Sequence, residues 1–485
     1  MDLERPDIEP FEPILRGLIE TAFFPPWPYP QSVVEAMRGR ADPSQIVAQT
    51  IAAYSKLQLS VAENVVALER DARRLTDERK VARRARDSAL TGTLGATISV
   101  IQSRQLVLRR LLDVIVWMVC EQYVWLVRRL LRKGDLQRID PETLPGIVAL
   151  ATRLNQSDPY TLHLASDLTT VVQIGDLLQA SIGADRRWHI SLVEVKEGEI
   201  NRKIAAKLAD ERGPEDLRTT MGDRAAEQAE RMLKQQGRMK GLADYARTGR
   251  GRHPETGWRV ARTPDAPPTA GYQAQLRSLV DEAASHGPRV ITIDGCLTLA
   301  AVRVDSPADA HLGLAIHAFY HHNHPAAPCL LNSERLEEEW DLLKKEAPVV
   351  DLVEHSFVVR WGEPIFSWGT LDRVCDLVFG RIKVYAQFNI ATFMERARGM
   401  GMQMKWVTRR RSEELRRAGA TTPIPGGPGV SAILVTLLDG TRFEIFAGSI
   451  ARIIVEMARP DTVLRYLLES APHVRQVQEE ALRGK

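Results

Sequence analysis

Apolar residues recur at helical intervals through most of the first part of the chain. The pattern begins at Asp42, where Asp-Pro-Ser-Gln is typical of a helix start with Pro at the first helical position, and continues to about Arg132. The run Thr-Gly-Thr-Leu-Gly-Ala-Thr-Ile-Ser at 91–99 interrupts it, and we expect this run to separate two long helices. The sequence therefore predicts a helical N-terminal domain over residues 1–140.

The most apolar part of this region is residues 111–131, which Asp113 and Glu121 interrupt. A membrane-spanning helix needs about 20 consecutive apolar residues, so this stretch predicts a deeply buried helix and no membrane partner. Residues 1–18 are acidic and contain Pro, and they lack the basic and apolar regions of a secretion signal. We therefore expect a cytoplasmic protein.

In the middle of the chain, the spacing of apolar residues changes from the helical period to the two-residue period of a strand. Runs at 168–182 and 188–197 are rich in strand-forming residues, and the turn-forming residues between them favour a hairpin. Helical patterns precede this hairpin from residue 141 and follow it at 223–247, and a second hairpin is predicted at 289–304. With a Gly/Pro-rich loop at 248–271, these elements predict a central α/β domain over residues 141–304.

Residues 305–485 contain both helical and strand periodicities. We expect a strand at 355–362, a helix at 409–419, and a hairpin at 430–448 around the turn Asp439-Gly440. The predicted fold class is therefore an α/β multidomain protein. Its parts are a helical N-terminal domain, a central α/β domain and a mixed α+β C-terminal domain of unknown role.

Composition narrows the class of protein. The 485 residues are 44% hydrophobic and 26% charged, which is typical of a soluble globular protein with more than one domain. The net charge of +3 permits a nucleic-acid partner without requiring one. The 4 Cys residues are scattered without a Cys-x-x-Cys pair, which favours reduced thiols and excludes a zinc ribbon.

Three ionisable residues stand in the central strands. The strand period puts Glu194 and Lys196 on the same face as Ile190 and Leu192, and Asp176 lies in the preceding run. A buried carboxylate costs several kcal/mol unless it is paired or bound. If the strands pair, Asp176 and Glu194 come close enough to share Mg²⁺. Such a cation polarises a phosphate and activates a bound water, while a Lys orients that water, so the set suits phosphodiester hydrolysis.

This arrangement resembles the PD-(D/E)xK nuclease superfamily, which has the restriction-endonuclease-like fold. The resemblance covers about residues 141–250, with an extension towards 304, and rests on Asp176 followed by Glu194-x-Lys196 in hydrophobic strands between two helices. It implies that Asp176, Glu194 and the main-chain carbonyl of Val195 bind Mg²⁺ or Mn²⁺, and that Lys196 serves the attacking water. It also implies that Gln228, on the following helix, orients or contacts the phosphate.

The resemblance implies a Mg²⁺-dependent endonuclease whose substrate is nucleic acid, DNA rather than RNA. A role in defence against foreign DNA follows only by analogy at the level of the fold. The first motif is Ile-Gly-Asp instead of Pro-Asp, and the further acidic residue of many members has only Asp158 and Asp167 as candidates.

Two other interpretations of these residues stay open. A Glu-x-Lys tripeptide is common on surface strands, where it forms a structural salt bridge. The same fold also serves as a non-catalytic module that recognises nucleic acid or a phage protein. The sequence leaves open the oligomeric state, including a homo-oligomer, and the choice of DNA or RNA.

Two further clusters have a functional and a structural interpretation. His317 and His321 are one helical turn apart in a group that could hold a metal, or form a polar turn; its members are His311, His317, His321, His322 and His324. The run at 68–88 has more Lys and Arg than Asp and Glu, which is typical of a solvated helix face and also suits a surface that follows phosphates.

Overall fold

The chain forms two compact units, residues 2–261 and 262–485. A helical N-terminal region is followed by regions that contain sheets, so the protein has a mixed α/β fold. The computed structural model describes residues 3–4, 9–22, 44–121, 124–131, 136, 138–183, 188–195, 204, 218–219, 222–248, 250–252, 259–261, 271–304, 349–360, 362–417, 424 and 428–483.

The first unit combines long helices with a small antiparallel sheet. Its described helices are α1 (Phe11–Ala22), α2 (Ser44–Arg84), α3 (Ser88–Val119), α4 (Val124–Leu130), α5 (Leu144–Ser157) and α6 (Asp223–Thr248). Its described strands are β1 (Thr161–Ala165), β2 (Leu177–Ile182), β3 (Trp188–Val193), β4 (Arg250–Arg252) and β5 (Arg259–Ala261). Strand β2 is the centre of the β1–β2–β3 sheet, and β4 pairs with β5.

Helices α2 and α3 form a hairpin whose turn lies at Ala85–Asp87. Arg86 adopts a left-handed φ of 59°, and the Asp87 side chain accepts the N–H of Leu90 at 2.9 Å to cap α3. The prediction that the run at 91–99 separates two helices is wrong, because this run lies inside α3. Packing between the helices offsets the low helix propensity of this run, and the buried contacts are Ala72, Leu75, Ala82, Leu94, Ile98 and Ile101.

The first part of the apolar stretch at 111–131 is buried, as its pattern predicts. Every residue from Val107 to Val119 is buried in α3, and Glu121 ends this part of the chain with a φ of 49°. In the described ranges we find no helix with the length and hydropathy that a membrane span requires.

Strand β1 is an edge strand whose exposed backbone groups are bonded by side chains of two helices. Gln58 of α2 donates to the carbonyl of His163 at 3.3 Å and accepts the N–H of Ala165 at 2.6 Å. Asn155 of α5 donates to the same carbonyl at 3.0 Å and accepts the N–H of His163 at 2.6 Å. Because these bonds join the helices to the sheet, both lie in one unit, and the predicted boundary at residue 140 falls inside it.

The second unit contains two antiparallel sheets. Its described helices are α7 (Gln273–His286), α8 (Leu352–Val358), α9 (Leu371–Val378), α10 (Ile390–Gly399), α11 (Arg409–Arg417), α12 (Ala447–Val455) and α13 (Pro460–Arg483). Its described strands are β6 (Arg289–Ile293), β7 (Leu297–Arg303), β8 (Val349–Asp351), β9 (Ile382–Phe388), β10 (Met402–Trp406), β11 (Ala432–Leu437) and β12 (Arg442–Phe446). The strand orders are β6-β7-β9-β8 and β10-β11-β12.

Both predicted hairpins of this unit are present, with turns at Asp294-Gly295 and Asp439-Gly440. The β6–β7 hairpin belongs to the second unit and not to a domain ending at 304, because β7 also pairs with β9. The strand predicted at 355–362 is wrong, because residues 352–358 form α8. Asp351 caps this helix by accepting the N–H groups of Val353 and Glu354, and the cap overrides the strand propensity of the sequence.

Asp294 links the β6–β7 turn to the start of α13. Its carboxylate is paired with Arg459 and accepts the N–H of Asp461 at 3.0 Å. Burial opposes ionisation of Asp294, but the hydrogen bonds and charge of Arg459 and the N–H of Asp461 hold its pKa below the usual range.

We expect Asp294→Asn to destabilise the second unit at neutral pH by about 1–2 kcal/mol, after allowing for the partial exposure of Arg459. Because the folded-state pKa lies below the unfolded value of about 3.9, the stabilisation is present above that pH and is lost as pH falls through the folded-state pKa. Urea unfolding at pH 7 and pH 3 would measure the difference. Asp281→Asn, at the exposed pair with Arg373, is the control. If Asp294→Asn lowered the free energy of unfolding by the same amount at pH 7 and pH 3, the electrostatic origin of the stabilisation would be contradicted.

Candidate functional site

Asp176 and Glu194 meet at one end of the β1–β2–β3 sheet. The register ends with Leu177 paired to Val193, so Asp176 stands directly before β2 and Glu194 directly after β3. Two hydrogen bonds hold this end together. The N–H of Asp176 donates to the carbonyl of Val193 at 2.9 Å, and the N–H of Val195 donates to Oδ2 of Asp176 at 2.6 Å.

Gly175 makes this close approach possible. It has a φ of +75°, and a Cβ at this position would lie 3.2 Å from the carbonyl oxygen of Val193 and 3.4 Å from Cβ of Leu192. A side chain would therefore be strained in conformation and crowded by the neighbouring strand. This is the physical reason for Gly in the Ile-Gly-Asp motif.

The two acidic residues extend an apolar face of the sheet. Leu178 pairs with Leu192 on that face, and Asp176 and Glu194 are both half-buried beyond them. The bond from the N–H of Val195 to Oδ2 of Asp176 holds the Asp176 carboxylate beside the residue that follows Glu194, and Mg²⁺ binds carboxylate oxygens at about 2.1 Å. Two carboxylates and the nearby carbonyl of Val195 are the hard oxygen donors that Mg²⁺ prefers. The donor set therefore fits this ion.

A buried polar cluster fixes the segment that leads to Asp176. Asp113 of α3 accepts the N–H of Thr170 at 2.8 Å and the Thr170 hydroxyl, and it also accepts Nη1 of Arg110 at 2.9 Å. Arg109 donates to the carbonyl of Thr169 at 2.8 Å. These bonds hold residues 169 and 170 away from the ladder, so the predicted strand run of 168–182 forms a strand only from Leu177.

Ser166 is a third polar residue at this end of the sheet, which the sequence did not single out. The β1–β2 register pairs Ala165 with Leu177, and the N–H of Ser166 donates to the carbonyl of Asp176 at 2.9 Å. Ser166 is buried, and its hydroxyl has no hydrogen-bond partner among the described residues. A buried hydroxyl of this kind is normally bonded to a water or a ligand. The available signal was a Ser directly after the apolar run Thr-Leu-His-Leu-Ala.

The other predicted residues are placed as follows. Val195 is half-buried and bonded to Asp176 through its N–H, and Lys196 lies outside the described residues. Gln228 is half-buried on α6, a helix that contacts α4 and β4. Gln228 thus has its predicted place on the helix after the strands.

The two candidates for a further acidic residue differ in environment. Asp158 is exposed at the end of α5, and hydrogen bonds from Thr161 and Tyr160 lower its pKa. Asp167 follows Ser166 and is half-buried; burial raises its pKa against the attraction of Arg109. A carboxyl group whose pKa is shifted by burial beside a charged side chain is typical of a functional site, so Asp167 is the stronger candidate for the further acidic residue.

No group of three or more His, Cys, Asp or Glu side chains with metal-binding geometry occurs in the described part of the chain. The candidate site has only two carboxylate side chains and one main-chain carbonyl, so it is not a group of three such side chains. The histidines between His311 and His324 lie outside the described residues.

Comparison with known proteins gives no match: no protein-family model, no curated protein and no solved structure matches the chain.

Proposed function

We propose that the chain is a metal-dependent nuclease with a restriction-endonuclease-like region. It hydrolyses phosphodiester bonds of nucleic acid, with DNA as the preferred substrate over RNA. The observation that carries the proposal is that Asp176, directly before β2, and Glu194, directly after β3, lie at the same end of this strand pair, with the N–H of Val195 bonded to Asp176. The order of elements supports it as well. Helix α5 precedes an antiparallel β1–β2–β3 sheet, and α6 follows it.

Asp176, Glu194 and the carbonyl of Val195 would hold Mg²⁺ or Mn²⁺. When bound, the ion supplies charge to the scissile phosphate and lowers the pKa of a water. Lys196, two residues after Glu194 in the sequence, would orient the attacking water. Gln228 would contact the phosphate.

The surroundings of the two carboxylates suit this role. Asp113 and Arg109 fix the segment before Asp176, so little reorganisation is needed when a substrate binds. The unpartnered Ser166 hydroxyl gives the same end of the sheet a further group that can bond a water or a phosphate oxygen.

Removal of metal tests the proposal directly. The protein is incubated with plasmid DNA, single-stranded DNA and RNA in Mg²⁺, in Mn²⁺ and in EDTA. We expect cleavage with either cation, loss of cleavage in EDTA, and recovery when Mg²⁺ is added in excess. Calorimetric titration with Ca²⁺ gives a second measurement that does not depend on turnover. Absence of both ion binding and cleavage would overturn the proposal.

One observation favours the non-catalytic alternative. The bond of 2.6 Å from the N–H of Val195 to Asp176 is also suited to fastening the end of a hairpin in a module that only binds nucleic acid. In that case Asp176→Asn lowers thermal stability and leaves nucleic-acid binding intact, while the wild type shows no cleavage with any cation.

A further inference from the structure

The tip of the α2–α3 hairpin carries an open surface cavity of about 650 Å³, most of whose lining residues are exposed. Arginines of α2 and the turn line one side, and small residues of α3 line the other. The lining side chains that matter below are Arg79, Arg83, Arg86, Ser88, Gly95 and Ser99, which we call the hairpin-tip site. The hairpin belongs to the same compact unit as Asp176 and Glu194.

Ion pairing divides the charged run at 68–88 into two parts. In the first part cations are paired with acidic residues one helical turn away; the pairs are Arg73–Glu69, Arg74–Asp71, Arg74–Glu78 and Lys80–Asp77. In the second part Arg79, Arg83 and Arg86 form no ion pair with any described residue. The acidic residue of the tip, Asp87, caps α3. Three arginines without an ion pair among the described residues therefore gather at this site, beside the carboxylate of Asp87.

Arg79 is fitted into the wall of the cavity. A Cβ at position 95 would lie 3.3 Å from Cζ of Arg79, so Gly95 leaves the space that the guanidinium occupies. Nε of Arg79 is buried and has no hydrogen-bond partner within the described ranges. A buried N–H without an acceptor is unfavourable, and an anionic ligand would supply the acceptor. The need for this space also accounts for a Gly inside α3, where Gly lowers helix stability.

The geometry suits an extended polyanion. Arg79 and Arg83 are four residues apart on α2, about 6 Å along the axis, so they can contact separate phosphates. Ser88 and Ser99 add hydroxyl groups on the opposite wall. Arginine and serine side chains are the groups that contact phosphate oxygens in nucleic-acid complexes, independently of base sequence.

We infer that the hairpin-tip site binds the phosphodiester backbone of nucleic acid and holds the substrate for the carboxylate pair of the same unit. The identity of the ligand rests on the proposed nuclease function. Binding at the tip does not itself require Asp176, Glu194 or a metal.

The test is the affinity for labelled double-stranded and single-stranded DNA, measured by fluorescence anisotropy in EDTA over a series of salt concentrations. The variant Arg83→Ala/Arg86→Ala removes two exposed charges, and Arg79→Ala removes the fitted one. We expect the double variant to bind roughly tenfold more weakly at low salt and to lower the slope of log K against log salt by about 2.

The matched control is Arg74→Ala/Lys80→Ala, which removes two paired charges from the same helix. We expect the control to bind within about twofold of the wild type, since its acidic partners already neutralise those charges. Gly95→Val keeps every charge and crowds Arg79, so it should also weaken binding. Circular dichroism verifies that each variant is folded.

Equal affinity and equal salt slope in the tip variants would overturn the inference, as would the same loss in the control. Val81 is 63% exposed and Leu90 46% exposed near the turn, so self-association is also measured by sedimentation. Self-association that the tip variants abolish, with DNA binding unchanged, would make the tip a protein contact and refute the inference. Tip-dependent DNA binding without Mg²⁺-dependent cleavage supports the site and refutes the nuclease. Cleavage with unchanged DNA affinity in the tip variants supports the nuclease and refutes the site.

Discussion

Glu194→Gln should lower the rate of Mg²⁺-dependent cleavage by about 10³-fold or more. The substitution keeps the size of the side chain and removes its negative charge, so one of the two proposed carboxylate ligands at this end of β2 and β3 no longer binds a cation. Stabilisation of transition-state charge by a metal is worth several kcal/mol, and about 1.4 kcal/mol corresponds to a tenfold change in rate. Single-turnover cleavage of a plasmid at saturating Mg²⁺ measures the effect.

Asp176→Asn should produce a loss of similar size, because Asp176 is the other carboxylate of the pair. The double variant Asp176→Asn/Glu194→Gln should be little slower than either single variant, since residues that act as a unit are not additive. Calorimetric titration should show weaker Ca²⁺ binding for all three variants.

Ser191→Ala is the matched control for both substitutions. Ser191 is exposed on the opposite face of β3, where its hydroxyl donates to Gln179 at 3.1 Å, and we expect cleavage at the wild-type rate. Cleavage that survives both Glu194→Gln and Asp176→Asn would refute the assignment of the site. A change in thermal stability without any wild-type cleavage would favour a structural role of the pair.

The pairing of β2 with β3, which brings Asp176 and Glu194 to one end of the sheet, was accessible from the sequence because it depends on local rules. Strand periodicity fixes which face each residue occupies, and a short connection between antiparallel runs fixes the register within narrow limits. The identity of the metal and the chemistry followed only from resemblance, and they stay predictions.

Ser166 and strand β1 could not be predicted from the sequence in the same way. The five residues of β1 are all buried, so the strand shows no alternation of apolar and polar faces. The edge of β1 is bonded by Gln58, whose partner Ala165 is 107 residues away in sequence. No window of local sequence contains such a pairing.

Local propensity also failed where a cap or a tertiary contact outweighs it. Gly95 lies inside α3, where the α2–α3 pair buries apolar residues on both sides of the turn. Residues 352–358 form a helix, although the sequence around Phe357 favours a strand, because Asp351 caps its first turn. In both cases the deciding residue lies outside the window that sets the propensity.

Asp113→Ala should destabilise the first unit by about 3–5 kcal/mol. The side chains of Asp113 and Arg110 are 0% and 1% exposed, so removal of the carboxylate breaks a buried ion pair. The N–H of Thr170 loses its acceptor in the same step. Scanning calorimetry of the full chain measures the effect as a lower transition temperature for the first unit, with the second unit unchanged.

Asp77→Ala is the matched control, because the Lys80–Asp77 pair spans the same number of residues on α2 but is 64% and 74% exposed. It should cost at most about 1 kcal/mol. The variant Arg110→Met/Asp113→Leu should be more stable than Asp113→Ala, since replacing a buried pair by apolar residues removes both charges. Equal costs for Asp113→Ala and Asp77→Ala would show that the buried pair is not what stabilises the unit.

Thr170→Val separates the contribution of the cluster to stability from its contribution to the site. The substitution removes only the hydroxyl bond to Asp113 and keeps the buried pair, so the unit should lose about 1 kcal/mol and stay folded. Because Thr170 begins the segment that ends at Asp176, we expect cleavage by this variant to fall further than its stability predicts, as small displacements of reacting groups are costly. Wild-type cleavage by folded Thr170→Val would mean that the position of Asp176 depends on the β2–β3 register alone.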